Sequence, residues 1–350
     1  MISVQKTSTP KTRPTDDKLG FGQYFTDHMF VAEYEEGKGW DAGKVVPYAP
    51  FQMDPAASVL HYGQALFEGV KAFPQKAGGI KVFRPDFNAD RLRSGAERLC
   101  LPQPPKDLVV EGMKALLRAD ADWMPKARGT SMYVRPTLIG TEGFLGVRPS
   151  RKAIFFVILS PVGRYYKEGS ESVRIWIEKE DLRAAPGGLG ATKAGANYAA
   201  SLRAALRAKD RGYAQVLWTD VTHKFVEEVG TMNVFFKLAG KVLTPALNGS
   251  ILEGGTRRAC LELLRADGLA VEERAVSLDE IRAAWKAGQL EEVFGTGTAA
   301  VVTPVECLAS ADEVWELPKG FGPTAKRLYE RITSIQYGEA PDTFGWLQEI

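Results

Sequence analysis

Cysteine is scarce in this chain. Its 350 residues include three, Cys100, Cys260 and Cys307, far apart and in no C-x-x-C pair. Neither a disulfide framework nor a zinc knuckle is indicated, and a reducing, cytoplasmic compartment is expected. Histidine is equally rare: His28, His61 and His223 form no H-E-x-x-H and no His/Cys cluster, so no catalytic metal is expected. The absence of a G-x-S-x-G motif weakens a serine hydrolase reading. Charge of one sign is also missing, with 45 basic against 43 acidic residues. Without a one-sided basic face, neither nucleic acid nor a membrane surface is an expected partner. The longest apolar run, Ile154 to Leu159, is far too short to span a bilayer. The first eighteen residues are polar, lack the apolar centre of a secretory signal and read as a loose arm.

What is present is an ordinary globular composition, long enough for two domains. Alternating stretches predict strands at Thr26 to Glu33, Val70 to Phe73, Ile80 to Phe83, Met132 to Ile139 and Ala153 to Leu159. Helical spacing appears from Ala89 to Leu99 and from Val109 to Ala119. A polar stretch with glycines and tyrosines then divides the chain. The second half opens with a strand, Val173 to Ile177, and a Gly/Ala-rich segment, Pro186 to Ala200. A helix follows over Tyr198 to Asp210, stopping before Gly212. Strands are expected at Gln215 to Trp218, Thr231 to Leu238, Lys241 to Thr244 and Glu292 to Phe294, with a hairpin at Ala239-Gly240. Helices are expected at Arg257 to Ala266, Leu278 to Ala287 and Pro323 to Ile335. This mixed order argues for an α+β fold.

Candidate chemistry centres on Lys193. The segment Gly188-Leu189-Gly190-Ala191-Thr192-Lys193 lacks both the third glycine of a dinucleotide fingerprint and the Gly-Lys-Ser/Thr ending of a P-loop. It sets one lysine among small residues, where an amine can meet a flat cofactor closely. A Schiff base needs that access and a lysine whose pKa can fall. A solvated loop lysine is the plainer alternative. Glu253-Gly254-Gly255-Thr256-Arg257 leads into an amphipathic helix and Gly295-Thr296-Gly297-Thr298-Ala299 follows a strand. Either can cradle an anion with backbone N–H groups, or can be a simple tight turn. Glu228 stands just before an apolar strand, where a buried carboxylate needs a partner such as a protonated ring nitrogen. Its neighbour Glu227 could be the buried member instead.

In combination these segments resemble a known family. Lys193-Ala194-Gly195-Ala196-Asn197-Tyr198, Glu228-Val229-Gly230-Thr231-Met232-Asn233, Gly254-Gly255-Thr256-Arg257-Arg258 and Phe294-Gly295-Thr296-Gly297-Thr298-Ala299 look like the branched-chain aminotransferases. So do Phe25-Thr26-Asp27-His28-Met29, Phe67-Glu68-Gly69, Asp90-Arg91 and Tyr133-Val134-Arg135-Pro136, in the right order from about Leu19 to Gly338. That family belongs to the fold-type IV pyridoxal-phosphate enzymes. The resemblance implies a two-domain α+β fold, with a smaller N-terminal α/β domain and a larger C-terminal domain whose sheet forms a pseudo-barrel. Residues 1–18 would be a flexible arm, 19–162 the small domain, 163–172 the linker and 173–350 the large domain that binds pyridoxal 5'-phosphate.

The resemblance also assigns roles. Lys193 would carry the cofactor and move the proton at the substrate's Cα. Tyr198 would meet the cofactor's phenolic oxygen and Glu228 its ring nitrogen, while Arg91, Gly255, Thr256 and Thr298 would hold the phosphate. Thr231 and Ala299 would lie near the substrate's α-carboxylate. Phe21, Phe67, Tyr133 and Tyr165 would wall the side-chain pocket, and Arg135 would receive the distal carboxylate of glutamate or 2-oxoglutarate. Tyr62, Leu145 and Val147 would come from a neighbouring subunit, implying a homodimer. The implied substrates are leucine, isoleucine and valine with 2-oxoglutarate. A D-amino-acid aminotransferase or an aminodeoxychorismate lyase of the same fold is the alternative. Mammalian members carry a C-x-x-C thiol switch where this chain has Ala300 and Thr303, so no such redox control is expected.

Overall fold

The computed structural model describes residues 2–163 and 172–350. Residues 164–171, most of the expected linker and including Tyr165, lie outside the described residues. By backbone packing the chain forms two units, one of residues 1–165, 192–196 and 334–350, the other of residues 166–191 and 197–333. The first unit is therefore the larger. Residues 334–350, expected with the second half, join the first because Leu347–Glu349 pairs antiparallel with Ile80–Phe83.

Alternation builds the first unit. In the strand Ser131–Gly140, Met132, Val134 and Leu138 enter the core, as do Val70 and Ala72 of Val70–Pro74 and Phe155, Val157 and Leu159 of Lys152–Val162. Period two sends their sequence neighbours, Lys71, Tyr133, Arg135 and Ser160, to the opposite face. The helices Pro85–Arg98 and Lys106–Ala119 contribute Leu92, Ala96, Met113 and Leu116 to the same core. Full burial of a side chain the size of Leu92 or Phe155 is worth about 1.5–3 kcal/mol. Gly112 lets a helix close on the sheet, since a Cβ there would sit 2.7 Å from the Phe30 ring.

The N-terminal segment departs from the expected loose arm. Ser3–Val4 pairs in parallel with Lys44–Pro47. Thr7 N–H donates to His28 Nε2 at 2.9 Å, Lys11 N–H to Asp27 Oδ1 at 2.8 Å, and Asp16 accepts from Lys126 and Ala127 N–H. Such tertiary bonds leave no periodicity for a sequence to display. Because Nε2 accepts, the ring proton sits on Nδ1 and donates to Asp120 Oδ1 at 2.6 Å; Asp120 Oδ2 accepts from His28 N–H. Asp120→Ala strands these buried donors and should cost about 1–3 kcal/mol, read as a lower midpoint in denaturant unfolding. An unchanged midpoint would leave the His28–Asp120 contact without energetic weight.

In the second unit six strands close a ring. Val226–Val229, Gln215–Thr219, Val173–Ile177, Val301–Ala309, Leu290–Gly297 and Met232–Leu238 follow one another, and the last pairs back onto the first. Lys241–Pro245 and Val271–Arg274 extend the sheet. Ile175, Leu217, Val229, Val234, Phe236 and Leu308 are buried together. The helix Gly255–Ala266 turns Cys260, Leu263 and Leu264 inward, the stripe its spacing predicts. Leu278–Lys286 begins at Ser277, whose side chain accepts from Glu280 N–H. Among the described residues no helix is long and apolar enough to cross a membrane.

Candidate active site

Lys193 belongs to the first unit because its segment docks on the sheet. Phe67 N–H donates to Lys193 O at 3.2 Å, and Leu66 bridges Ala194. The amine lies 5.0 Å from the centre of the Phe67 ring. Burial pushes its pKa down to about 8; the Arg91 cation acts in the same direction, and Glu68 opposes it. A buried lysine near neutrality has free amine for attack on a carbonyl. Among the described residues Lys71 is the other such lysine, also lowered to about 8 by burial.

Phe67, Tyr133, Arg135 and Phe21 come together here. The Arg135 guanidinium stacks 4.7 Å from the Phe67 ring centre and 5.1 Å from that of Tyr133. Its Nη2 donates to Tyr133 Oη at 3.1 Å. Phe21 meets the Tyr133 ring edge-on at 4.9 Å. An apolar wall bearing one cation can receive a hydrocarbon side chain or a carboxylate. Gly69 makes room for the Tyr133 hydroxyl, which a Cβ at that position would strike. Gly69→Ala should therefore displace Tyr133 and destabilise the first unit by about 1–3 kcal/mol, read by thermal unfolding. A variant as stable as the parent would mean the ring moves aside without cost.

Arg91 reaches this group through Glu68, a residue with no expected role. Glu68 is buried and grips the Arg91 guanidinium by its Nε and Nη2, while Asn88 Nδ2 donates to the same carboxylate at 2.7 Å. Tyr62, Leu145 and Val147 are solvent-exposed in the single chain, Val147 at 85%. The Tyr62 hydroxyl donates to Leu145 O.

The second unit holds the remaining candidates. Glu227 and Glu228 are both buried, because the strand Val226–Val229 lies within the closed ring. They point to opposite faces. Glu227 accepts from Ser250 Oγ and Asn248 Nδ2, whereas Glu228 Oε1 accepts Leu252 N–H at 2.8 Å and Oε2 pairs with Arg183 Nε at 3.2 Å. Arg183, unmarked in the sequence, also donates to Gly190 O at 3.1 Å and to Ser250 O. The buried Glu228 carboxylate thus has a buried guanidinium as its partner. Tyr198 lies in the first turn of the helix Gly195–Asp210. Thr231 follows Gly230, whose φ of 57° turns the chain into Met232–Leu238. Thr298 and Ala299 occupy the turn between Leu290–Gly297 and Val301–Ala309. Gly255 and the buried Thr256 open the helix Gly255–Ala266, whose N-terminus carries no side-chain cap. Its first N–H groups suit an anion.

Residues 65–307 match the family described as amino-transferase class IV. The chain belongs to this family. Across its whole length this aminotransferase is 50% identical to branched-chain-amino-acid aminotransferase 2 of Bacillus subtilis, covering 97% of that protein. It is 49% identical to branched-chain-amino-acid transaminase 1 of the same organism, again over its whole length, covering 99% of that protein. Among solved structures it is similar to the branched-chain amino acid aminotransferase of Escherichia coli, with a TM-score of 0.78 and 26% identity over 92% of this chain and 99% of that one. It is also similar to the T.th. branched-chain amino acid aminotransferase complexed with N-(5'-phosphopyridoxyl)-L-glutamate. There the TM-score is 0.75 and the identity 25%, over 95% of this chain and 99% of that one. The two-unit α+β architecture is the fold-type IV aminotransferase fold.

Proposed function

We propose that this aminotransferase transfers the amino group of leucine, isoleucine or valine to 2-oxoglutarate, using pyridoxal 5'-phosphate, as a cytoplasmic homodimer. The observation that carries the reading is the desolvated Lys193 amine beside the Phe67, Tyr133 and Arg135 wall. The names of the Bacillus subtilis relatives and the phosphopyridoxyl complex of the T.th. enzyme support the substrate class and the cofactor. The donor set suits that cofactor: a lysine lowered by burial to about 8, a buried carboxylate paired with a guanidinium and an uncapped helix N-terminus.

Bound, pyridoxal phosphate supplies an aldehyde for amines and a ring that accepts electron density from the substrate's Cα. Lys193 would hold the cofactor, and its amine would move the proton at the substrate's Cα. Glu228, paired with Arg183, would meet the ring nitrogen. Gly255, Thr256, Thr298 and Arg91 would hold the phosphate, and Tyr198 the phenolic oxygen. Thr231 and Ala299 orient the α-carboxylate. Phe21, Phe67 and Tyr133, with Tyr62, Leu145 and Val147 of a second copy, would exclude water from the side chain. Arg135 receives a distal carboxylate. One methylene in such a pocket is worth only about 1–3 kcal/mol, so the three branched substrates should differ little.

The test is formation of glutamate from L-leucine and 2-oxoglutarate by purified protein. Activity with D-alanine alone would overturn the reading. Cofactor capture depends on the neutral amine, so its rate in cofactor-stripped protein should rise about tenfold per pH unit towards about 8 and level above it. A rate flat between pH 6 and 8 would contradict the lowered pKa.

A further inference from the structure

Glu68 has no part in the chemistry above, yet it is the most heavily bonded carboxylate of the first unit's site. Its side chain is 1% exposed and that of Arg91 10%. Oε1 accepts from Arg91 Nε at 2.7 Å; Oε2 accepts from Arg91 Nη2 at 2.6 Å, Asn88 Nδ2 at 2.7 Å and Gly69 N–H at 3.3 Å. Asn88 and Arg91 are three residues apart on the helix Pro85–Arg98, so one helix face presents both to one carboxylate. The Phe87 ring, with its centre 5.3 Å from the guanidinium carbon, packs against Arg91 as well. A two-point grip on the Nε/Nη2 edge fixes the plane of a guanidinium and therefore the direction of its remaining edge.

Stability alone is a poor reason for such a pair, because apolar replacements of buried ion pairs are often neutral or better. Position offers a better one. Lys193 is within electrostatic reach of Arg91, Glu68, Tyr133 and Arg135. Two cations press on its amine and Glu68 is the carboxylate that opposes them.

We propose that Glu68 is a positioning residue of the reactive-lysine site: it aims the Arg91 guanidinium and offsets its charge beside Lys193. The proposal rests on reading Lys193 as the cofactor-bearing lysine and Arg91 as a phosphate ligand. Glu68→Gln then has two separable effects. Arg91 loses its fixed plane, which weakens recognition of a phosphate. Lys193 loses a favourable anion, so its amine gives up its proton at lower pH.

Full-length protein stripped of cofactor reports both. Acylation of Lys193, located by peptide mapping, gives the pH midpoint of the amine. Binding of pyridoxal phosphate against pyridoxal gives the phosphate preference. Glu68→Gln should move the midpoint down by roughly half a pH unit or more and cut the phosphate preference about tenfold. Glu68→Asp should restore part of each. A folded Glu68→Gln protein with both quantities unchanged would reduce the pair to a structural strut and overturn the proposal. Should that variant fail to fold, the double variant Glu68→Gln/Arg91→Gln keeps hydrogen-bonding groups without charge. It should lose the phosphate preference while holding the midpoint near that of the parent, and an intact preference would overturn the proposal. If the parent protein binds neither aldehyde at Lys193, the functional reading itself fails, an outcome distinct from any behaviour of Glu68.

Discussion

Lys193→Ala should lower transamination of leucine by about a thousandfold or more, since on the proposed reading it removes both the attachment point and the group that moves the Cα proton. The fold should survive. Lys193 docks on the sheet through backbone atoms, the Phe67 N–H to Lys193 O bond and the Leu66 to Ala194 bridge, which alanine retains. Removing a desolvated amine also relieves a burial cost. The measurement is turnover with L-leucine and 2-oxoglutarate alongside thermal unfolding. A stable variant retaining a tenth of the parent's activity would show that another base carries the proton.

Arg135→Leu should separate the two half-reactions. In the proposed function, the guanidinium stacked between Phe67 and Tyr133 is the cation offered to a distal carboxylate, while leucine needs only the apolar wall. A hydrogen bond to a charged group contributes about 1.5–3 kcal/mol, so kcat/KM for 2-oxoglutarate should fall roughly ten- to a hundredfold. The value for leucine should change far less. Stopped-flow measurement of each half-reaction separates them. Equal losses in both would move the carboxylate subsite away from Arg135.

Much of this is legible in the sequence. Val173–Ile177 and Ile80–Phe83 are strands where they were expected, the former burying every second residue, and the helix Gly255–Ala266 buries its expected stripe. Lys193 stood out because small residues surround it in the chain, a local signal. Other features had none. The strand Val301–Ala309 contains Pro304, which argues against a central strand; the fold accommodates it because parallel pairing with Val173–Ile177 starts only at Val305 and shifts register there. Ser3–Val4 is too short to show a period. The Glu68–Arg91 grip joins residues 23 positions apart, and Arg183 meets Glu228 across a longer gap. Neither pairing is written in spacing, because each exists only once strands and helices have docked. The same holds for Glu227, whose burial is a property of the closed ring rather than of its own neighbours.

Two lysines of the first unit, Lys193 and Lys71, have amines brought by burial to about 8. Only one of them is assigned to the cofactor, so their rivalry makes a direct test. Borohydride reduction of the resting protein, followed by proteolysis and mass spectrometry, reports which nitrogen is joined to a vitamin B6 aldehyde. The account predicts a phosphopyridoxyl mass on the peptide containing Lys193 and none on that containing Lys71. A label on Lys71, or on no lysine in protein that nevertheless transaminates leucine, would contradict it.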